Sequence, residues 1–183
     1  WLINPLHATC DDVDFSGQGN MDVLRATTES VLGKVRRKYK EYGINERPFV
    51  VIKSDNGTEG MGIMTIRDGK ELDDLPPRVL QRMQAGKNGQ QVRSVIVQEG
   101  VLTNERINDA VAEPVVYTMD RYVVGGFYRV HADMGEDENL NAPGAHFVPL
   151  AFHNSAHLPE PGRQPGASAP NRFYMYGVIA RLG

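Results

Sequence analysis

The sequence predicts an α+β fold, antiparallel sheet covered by helices, and three observations carry that expectation. Residues 22–42 place Leu24, Val31, Val35, Tyr39 and Tyr42 at helical spacing, with Lys34, Arg36, Arg37, Lys38 and Lys40 mostly between them. Two β-rich runs, 47–53 and 62–66, flank a glycine-rich interruption, which is the pattern of a hairpin. From residue 91 the chain turns to strand-like runs at 92–98, 114–119 and 122–131.

Taken in order, the chain opens without an initiator Met on the apolar run Trp1, Leu2, Ile3, and its last stretch reads as an amphipathic helix that stops in mid-pattern. That helix would put Phe173, Tyr176, Ile179 and Ala180 on one face, and both chain ends are read as truncations. Gly43 ends the first helix. A short helix is expected over 75–84, because Pro76 and Pro77 suit a first turn and Gly86 follows the last periodic residue; 86–89 then makes a turn. Gly125 and Gly126 would bend or bulge the strand over 122–131. Residues 153–171, rich in Pro, Gly, Ala and Ser, have neither period and read as a flexible loop or crossing segment. The expected division is a subdomain at 22–90 bearing the Gly-rich loop, a second sheet lobe at 91–152, the loop 153–171 and the start of a C-terminal helix at 172–183.

The bulk properties exclude several classes. A hydrophobic content of 40%, a charged content of 23% and a net charge of -3 describe a soluble globular chain with no basic excess for nucleic acid. No long apolar run or signal-peptide pattern is present, so no membrane partner is expected and the compartment is read as cytoplasmic. The lone Cys10 has no partner for an internal disulfide and reads as an ordinary reduced thiol. His7, His131, His146, His153 and His157 are scattered; His153 and His157 are at helical spacing but in a Pro/Gly-rich region, so no zinc pair is expected.

Four constellations could carry chemistry. In the first, the strand ending at Lys53 enters a loop with Gly57, Thr58, Gly60 and Gly62. Bare backbone N–H groups there could approach phosphate oxygens while the ammonium neutralises them, although such loops also serve plain turn geometry. The glycine order is neither that of a Rossmann turn nor that of a P-loop. The second is Val95 to Val101, an apolar strand ending in Gln98 and Glu99; its end could offer backbone groups to an adenine edge and a carboxylate to ribose hydroxyls, or it could be a core strand reaching the surface. In the third, Arg121 and Arg129 have the same strand parity and would share a face if no bulge intervenes, suiting a phosphate or a substrate carboxylate, or else ordinary surface ion pairs. The fourth is the turn Asp137 to Gly144, where acid and amide oxygens are hard donors for magnesium and equally good turn formers.

The order of these parts resembles that of ATP-grasp ligases. More closely, the runs VIKSDNGTEGMGIMTI, VIVQEGV, AEPVVYTMDRYVVGGFYRVH and ENLNAPGAHFVPLAF resemble those of proteobacterial glutamate–cysteine ligases, over nearly the whole chain. The resemblance implies an ATP-grasp-like fold, ATP and Mg²⁺ as cofactors, glutamate and cysteine as small-molecule substrates, and a parent protein of more than twice this length; it leaves a homo-oligomer open. It implies that Lys53 contacts ATP phosphates, that Gly57, Thr58, Gly60 and Gly62 form a flexible phosphate lid, and that Gln98, Glu99 and Val101 border adenine and ribose. Arg129, with Arg121, would face the phosphoryl group or substrate, and Glu138, Asn139 and Asn141 would lie near magnesium.

The chain departs from the pattern at Ser54, Asn56 and Glu59 in the lid, and in the two residues, where one is usual, between Glu138 and Asn141. Glu59 would set a carboxylate near the phosphates. The competing expectations are another carboxylate–amine ligase of glutathione synthetase type, a non-catalytic nucleotide-binding module, and a fragment that binds nothing alone.

Overall fold

The computed structural model describes residues 1, 3–16, 21–55, 62–84, 91–150 and 172–182, with side chains left undescribed at 172–174. It is a mixed fold of two four-stranded antiparallel sheets and covering helices, as the α+β expectation holds. The chain divides into two compact units, residues 1–102 with 137–142, and 103–136 with 143–183. The boundary expected at residue 91 therefore moves past Leu102, because the strand that follows 91 pairs into the first sheet and not the second.

In unit 1, strands β1 (His7–Cys10), β2 (Val50–Ser54), β3 (Ile63–Ile66) and β4 (Val95–Glu99) form a sheet in the order β1-β4-β2-β3. β2 and β3 are the expected hairpin, with Lys53 opposite Ile63 and Val50 opposite Ile66. Helix α1 (Asp22–Tyr42) buries Leu24, Thr28, Val31, Leu32 and Val35, a stripe at helical spacing. Tyr42 falls on the exposed side of that helix. The helix stops at Gly43, whose φ of 66° is left-handed and whose N–H, with that of Ile44, turns back to the carbonyls of Lys40 and Tyr39.

α1 and the sheet share one core, in which Val50, Ile52, Val95 and Val97 meet the α1 stripe, and Phe15, Leu72 and Met83 are buried beside them. Full burial of each such aliphatic side chain contributes roughly 1.5–3 kcal/mol. A 3-10 helix at Gly69–Asp74, which the sequence reading did not anticipate, starts where the Asp68 side chain accepts from the Lys70 N–H at 2.9 Å. Helix α2 (Pro77–Gln84) begins at Pro77, whose missing N–H costs nothing in a first turn. Residues 137–142 add the buried Leu140 and an ion pair between Arg67 and Asp137.

In unit 2, β5 (Arg106–Ile107), β6 (Ala110–Met119), β7 (Tyr122–His131) and β8 (His146–Pro149) lie in sequence order. Asn108 and Asp109, both at positive φ, make the tight β5–β6 turn that those residue types tolerate. β6 and β7 form a long hairpin whose register shifts after Tyr117: Tyr117 faces Gly125 and Thr118 faces Val123, so Val124 is the extra residue of a bulge. The bulge expected near Gly125 and Gly126 is thus present. Helix α3 (Arg172–Leu182) runs against β6 and β7, where Tyr176 meets Tyr128 edge-on at 6.5 Å and Gly177 comes close to Val123. Ile179, expected on its packed face, is exposed. Among the described residues no helix is long and apolar enough to cross a membrane. The loop expected at 153–171, and with it His153 and His157, lies outside the described residues, as does the turn at 86–89.

Candidate functional site

Strand alternation gives the sheet of unit 1, sheet 1, two unlike faces. Val50, Ile52 and Ser54 on β2 stand opposite Glu99, Val97 and Val95 on β4, and all six are buried. Val51 and Lys53, with Gln98 and Ile96 across from them, form the other face and are half-buried; His7 and Thr9 extend it on β1 and Ile63 and Thr65 on β3.

On that open face Lys53 Nζ donates to Gln98 Oε1 at 2.7 Å, a diagonal pair across β2 and β4 that the sequence, with the two residues far apart, could not show. Two of the expected site residues are thereby brought together. The ammonium retains further donors, so the pair fixes its position without using it up. Gly62 sits at the start of β3 with φ of 63°, and its carbonyl accepts from the Ser54 N–H at 3.2 Å, which closes the hairpin end from which the glycine-rich connection departs. Gly57, Thr58, Gly60 and Glu59 of that connection lie outside the described residues.

Glu99 is not beside Gln98. Consecutive strand residues point to opposite faces, and the Glu99 carboxylate enters the buried side, where the Trp1 indole N–H donates to it at 2.7 Å and the Leu6 N–H at 2.9 Å. The expectation that both side chains border one ligand gives way to this parity. Gly100 follows because a Cβ there would stand 2.0 Å from the buried Phe49 ring, and its N–H donates to the Phe49 carbonyl. Val101 lies just past the strand and is exposed.

In unit 2, Arg129 lies directly opposite Glu113 in the β6–β7 register and the two form an ion pair. Arg129 Nε is buried with no hydrogen-bond partner among the described residues, so one edge of the guanidinium is satisfied and another is not. Glu113 was missed in the sequence, although a charge inside the apolar run of β6 was a signal for it. Arg121 does not join Arg129 on one face: it occupies the β6–β7 turn, its near partner is Asp120 at 3.7 Å, and the bulge at Val124 breaks the parity on which the pairing depended.

Glu138, Asn139 and Asn141 lie in the 137–142 segment of unit 1. Asn139 Oδ1 accepts from the Asn141 N–H at 3.1 Å and its amide donates to the Asn141 carbonyl at 3.3 Å, a local turn. Among the described residues no group of three or more His, Cys, Asp or Glu could hold a metal, so any metal here would rest on fewer carboxylates and on amide oxygens. Cys10 is buried in the unit 1 core, and burial pushes its thiol up from the usual cysteine range, which keeps it a protonated, apolar group.

A search of curated proteins finds no match. Among solved structures, the chain is similar to the crystal structure, at 1.90 Å resolution, of a proposed gamma-glutamylcysteine synthetase from Methylobacillus flagellatus KT. The two share 51% identity with a TM-score of 0.80, and the match covers all of this chain and 43% of that one. This chain therefore spans less than half the length of that protein. The family model described as GshA, glutamate-cysteine ligase, matches residues 1–183, and the chain belongs to the glutamate–cysteine ligase family.

Proposed function

We propose that the full-length protein is an ATP-dependent ligase that joins the γ-carboxylate of glutamate to the amine of cysteine through an acyl phosphate, and that this region supplies an ATP-grasp-like nucleotide site. The observation that carries the reading is the Lys53–Gln98 pair on the open face of sheet 1, at the point where β2 runs into the glycine-rich connection. It stands in a chain matched over its whole length by the ligase family.

In this reading the Lys53 ammonium opposes phosphate charge, held in place by Gln98. Gly57, Thr58, Gly60 and Gly62 keep in this reading the phosphate-binding role that the resemblance gives them, the first three of them lying outside the described residues. Gln98 and the strand end at Val101 border the base, while Glu99, turned inward, holds the strand end through Trp1 and Leu6. Arg129, kept in place by Glu113 and with its Nε unpartnered among the described residues, is a candidate for holding an anionic group of ATP or of the substrate. Arg121, in the turn, has no role in this reading.

The donor set at Glu138, Asn139 and Asn141 fits magnesium in chemical type, since all offer hard oxygen and Asn139 Oδ1 has one lone pair in use and one to give. Magnesium commonly takes one or two carboxylates and leaves the rest of its shell to water and phosphate. Bound there, it would neutralise the charge that builds on the transferring phosphate.

The test is ADP release by the full-length protein with ATP, Mg²⁺, glutamate and cysteine, omitting each substrate in turn and identifying the product by mass. Release that requires both amino acids, with γ-glutamylcysteine as product, is expected. Release with γ-glutamylcysteine and glycine instead would make the protein a glutathione synthetase-like ligase. ATP binding without ADP release under every substrate pair would overturn catalysis in favour of a nucleotide-binding module.

A further inference from the structure

We propose that His131 is a positioning residue, a clamp that fixes both ends of the segment carrying Glu138, Asn139 and Asn141; the inference rests on the magnesium role proposed for that segment. His131 ends β7 and is 2% exposed. Its Nε2 lies 3.0 Å from the Pro143 carbonyl, and the Asp133 N–H points at its Nδ1 at 3.2 Å. A carbonyl can only accept and a backbone N–H can only donate, so a single form satisfies both contacts: the neutral ring with its proton on Nε2.

The ring thus ties residue 133, just before the excursion, to residue 143, just after it. Gly144 completes the arrangement. Its φ of 101° is a region side chains rarely adopt, and a Cβ there would stand 3.2 Å from ring atoms Cε1 and Nε2, so the returning chain passes close to the imidazole. The outgoing end has a second hold, since the Thr103 N–H donates to the Glu136 carbonyl at 2.8 Å and Arg106 pairs with the Glu136 carboxylate. The returning end is held by His131 at Pro143 and, from His146 onward, by the pairing of β8 with β7. Within the excursion, Leu140 is buried and Asp137 pairs with Arg67, which leaves Glu138, Asn139 and Asn141 on a short run of chain pinned on both sides. Groups bonded directly to metal ligands change affinity by about 10–100-fold when lost, and His131, which bonds the backbone on either side of them, is expected at the low end of that range.

The experiment uses the full-length protein with His131 changed to Ala, Asn and Gln. Asn keeps an acceptor near the Nδ1 position and Gln a donor near the Nε2 position, so each retains half of the clamp. Amide exchange over residues 132–144 is measured with and without Mg²⁺ and a non-hydrolysable ATP analogue, beside the Mg²⁺ dependence of ADP release. In His131→Ala, exchange in this stretch is expected to rise about tenfold while that of β2 and β3 stays unchanged. Half-saturating Mg²⁺ is expected to rise about tenfold with the KM for glutamate little changed, and Asn and Gln to fall in between.

Unchanged exchange over 132–144 in a folded variant overturns the clamp. Faster exchange with unaltered Mg²⁺ dependence overturns the positioning role. If His131→Ala does not fold, the Asn and Gln variants decide by the same readings. If wild type releases no ADP under any substrate pair, the ligase reading fails separately. The exchange arms then still decide: protection of 132–144 by Mg²⁺ and the analogue in wild type, lost in the variants, supports the inference, and its absence overturns it.

Discussion

In unit 1 the strands are four or five residues long and every second residue of β2 and β4 goes under the 21-residue helix α1, so that Val50, Ile52, Val95 and Val97 join Leu24, Val31, Leu32 and Val35 in one core. In unit 2 the two central strands are ten residues each, and among the described residues the buried cluster is Ala112, Tyr128, Val130 and Leu150. The opposite face of that sheet leaves Tyr117, Phe147, Met119 and Tyr122 exposed around the half-buried Phe127. Among the described residues, sheets of equal strand number therefore rest on different balances: unit 1 on apolar burial against a helix, unit 2 on a long hydrogen-bonded hairpin with fewer buried side chains.

Matched truncations test that difference most strongly. Ile52→Ala is expected to cost about 4 kcal/mol, because its site is walled by helix and sheet and cannot collapse. Val130→Ala, equally buried but in the smaller cluster, is expected to cost about 1.5 kcal/mol, with only about 0.8 kcal/mol of the difference due to the extra methylene of Ile. Denaturant titrations read both, and equal losses would break the comparison.

The open face of sheet 1 should behave oppositely to its buried face. Lys53→Ala is expected to lower ADP release by about 100-fold or more, roughly 3 kcal/mol of barrier, with the melting temperature nearly unchanged. Unchanged turnover would remove the phosphate role. A large fall in melting temperature would mean that the Lys53–Gln98 pair is structural.

Backbone geometry gives a third, smaller contrast between the units. Gly62 in unit 1 has φ of 63° with only ordinary contacts around its missing Cβ, so Gly62→Ala is expected to cost about 1–2 kcal/mol through conformation alone. Gly125 in unit 2 has open space and no positive φ, and Gly125→Ala should change stability by less than about 0.5 kcal/mol. Thermal melts of the two variants check the pair, and equal shifts would show that φ is not the deciding term.

How much the sequence shows follows the same division. Helix α1 and the β2–β3 hairpin were legible because one buried stripe and one alternating face leave a clear period in the residues. β1 and β5 were not, since short edge strands take their place from a neighbour and carry little pattern of their own. In the candidate site, Lys53 and Gln98 were both legible as residue types at strand ends, but that Glu99 turns away depends on which face is buried. That choice is settled by α1, far away in sequence. Arg121 failed for a related reason: a bulge adds one residue and reverses parity, and its exact place at Val124 is set by pairing with β6. His131 gave no local signal, because both its partners are backbone groups.

The smallest effect is expected on the exposed face of the unit 2 sheet. Phe147 is 61% exposed and meets Phe127 edge-on at 5.1 Å, and Phe127 in turn meets Tyr117 at 5.8 Å. Replacing Phe147 with Ser removes one aromatic contact, worth about 0.5–1.5 kcal/mol beyond area, and little buried surface, so a loss below about 1 kcal/mol is expected in a denaturant titration. A loss near that of Ile52→Ala, measured in the full-length protein, would mean that other residues of that protein cover this face. Unit 2 would then have its main core on the side opposite α3, and the cluster of Ala112, Tyr128, Val130 and Leu150 would belong to the lesser of its two packed faces.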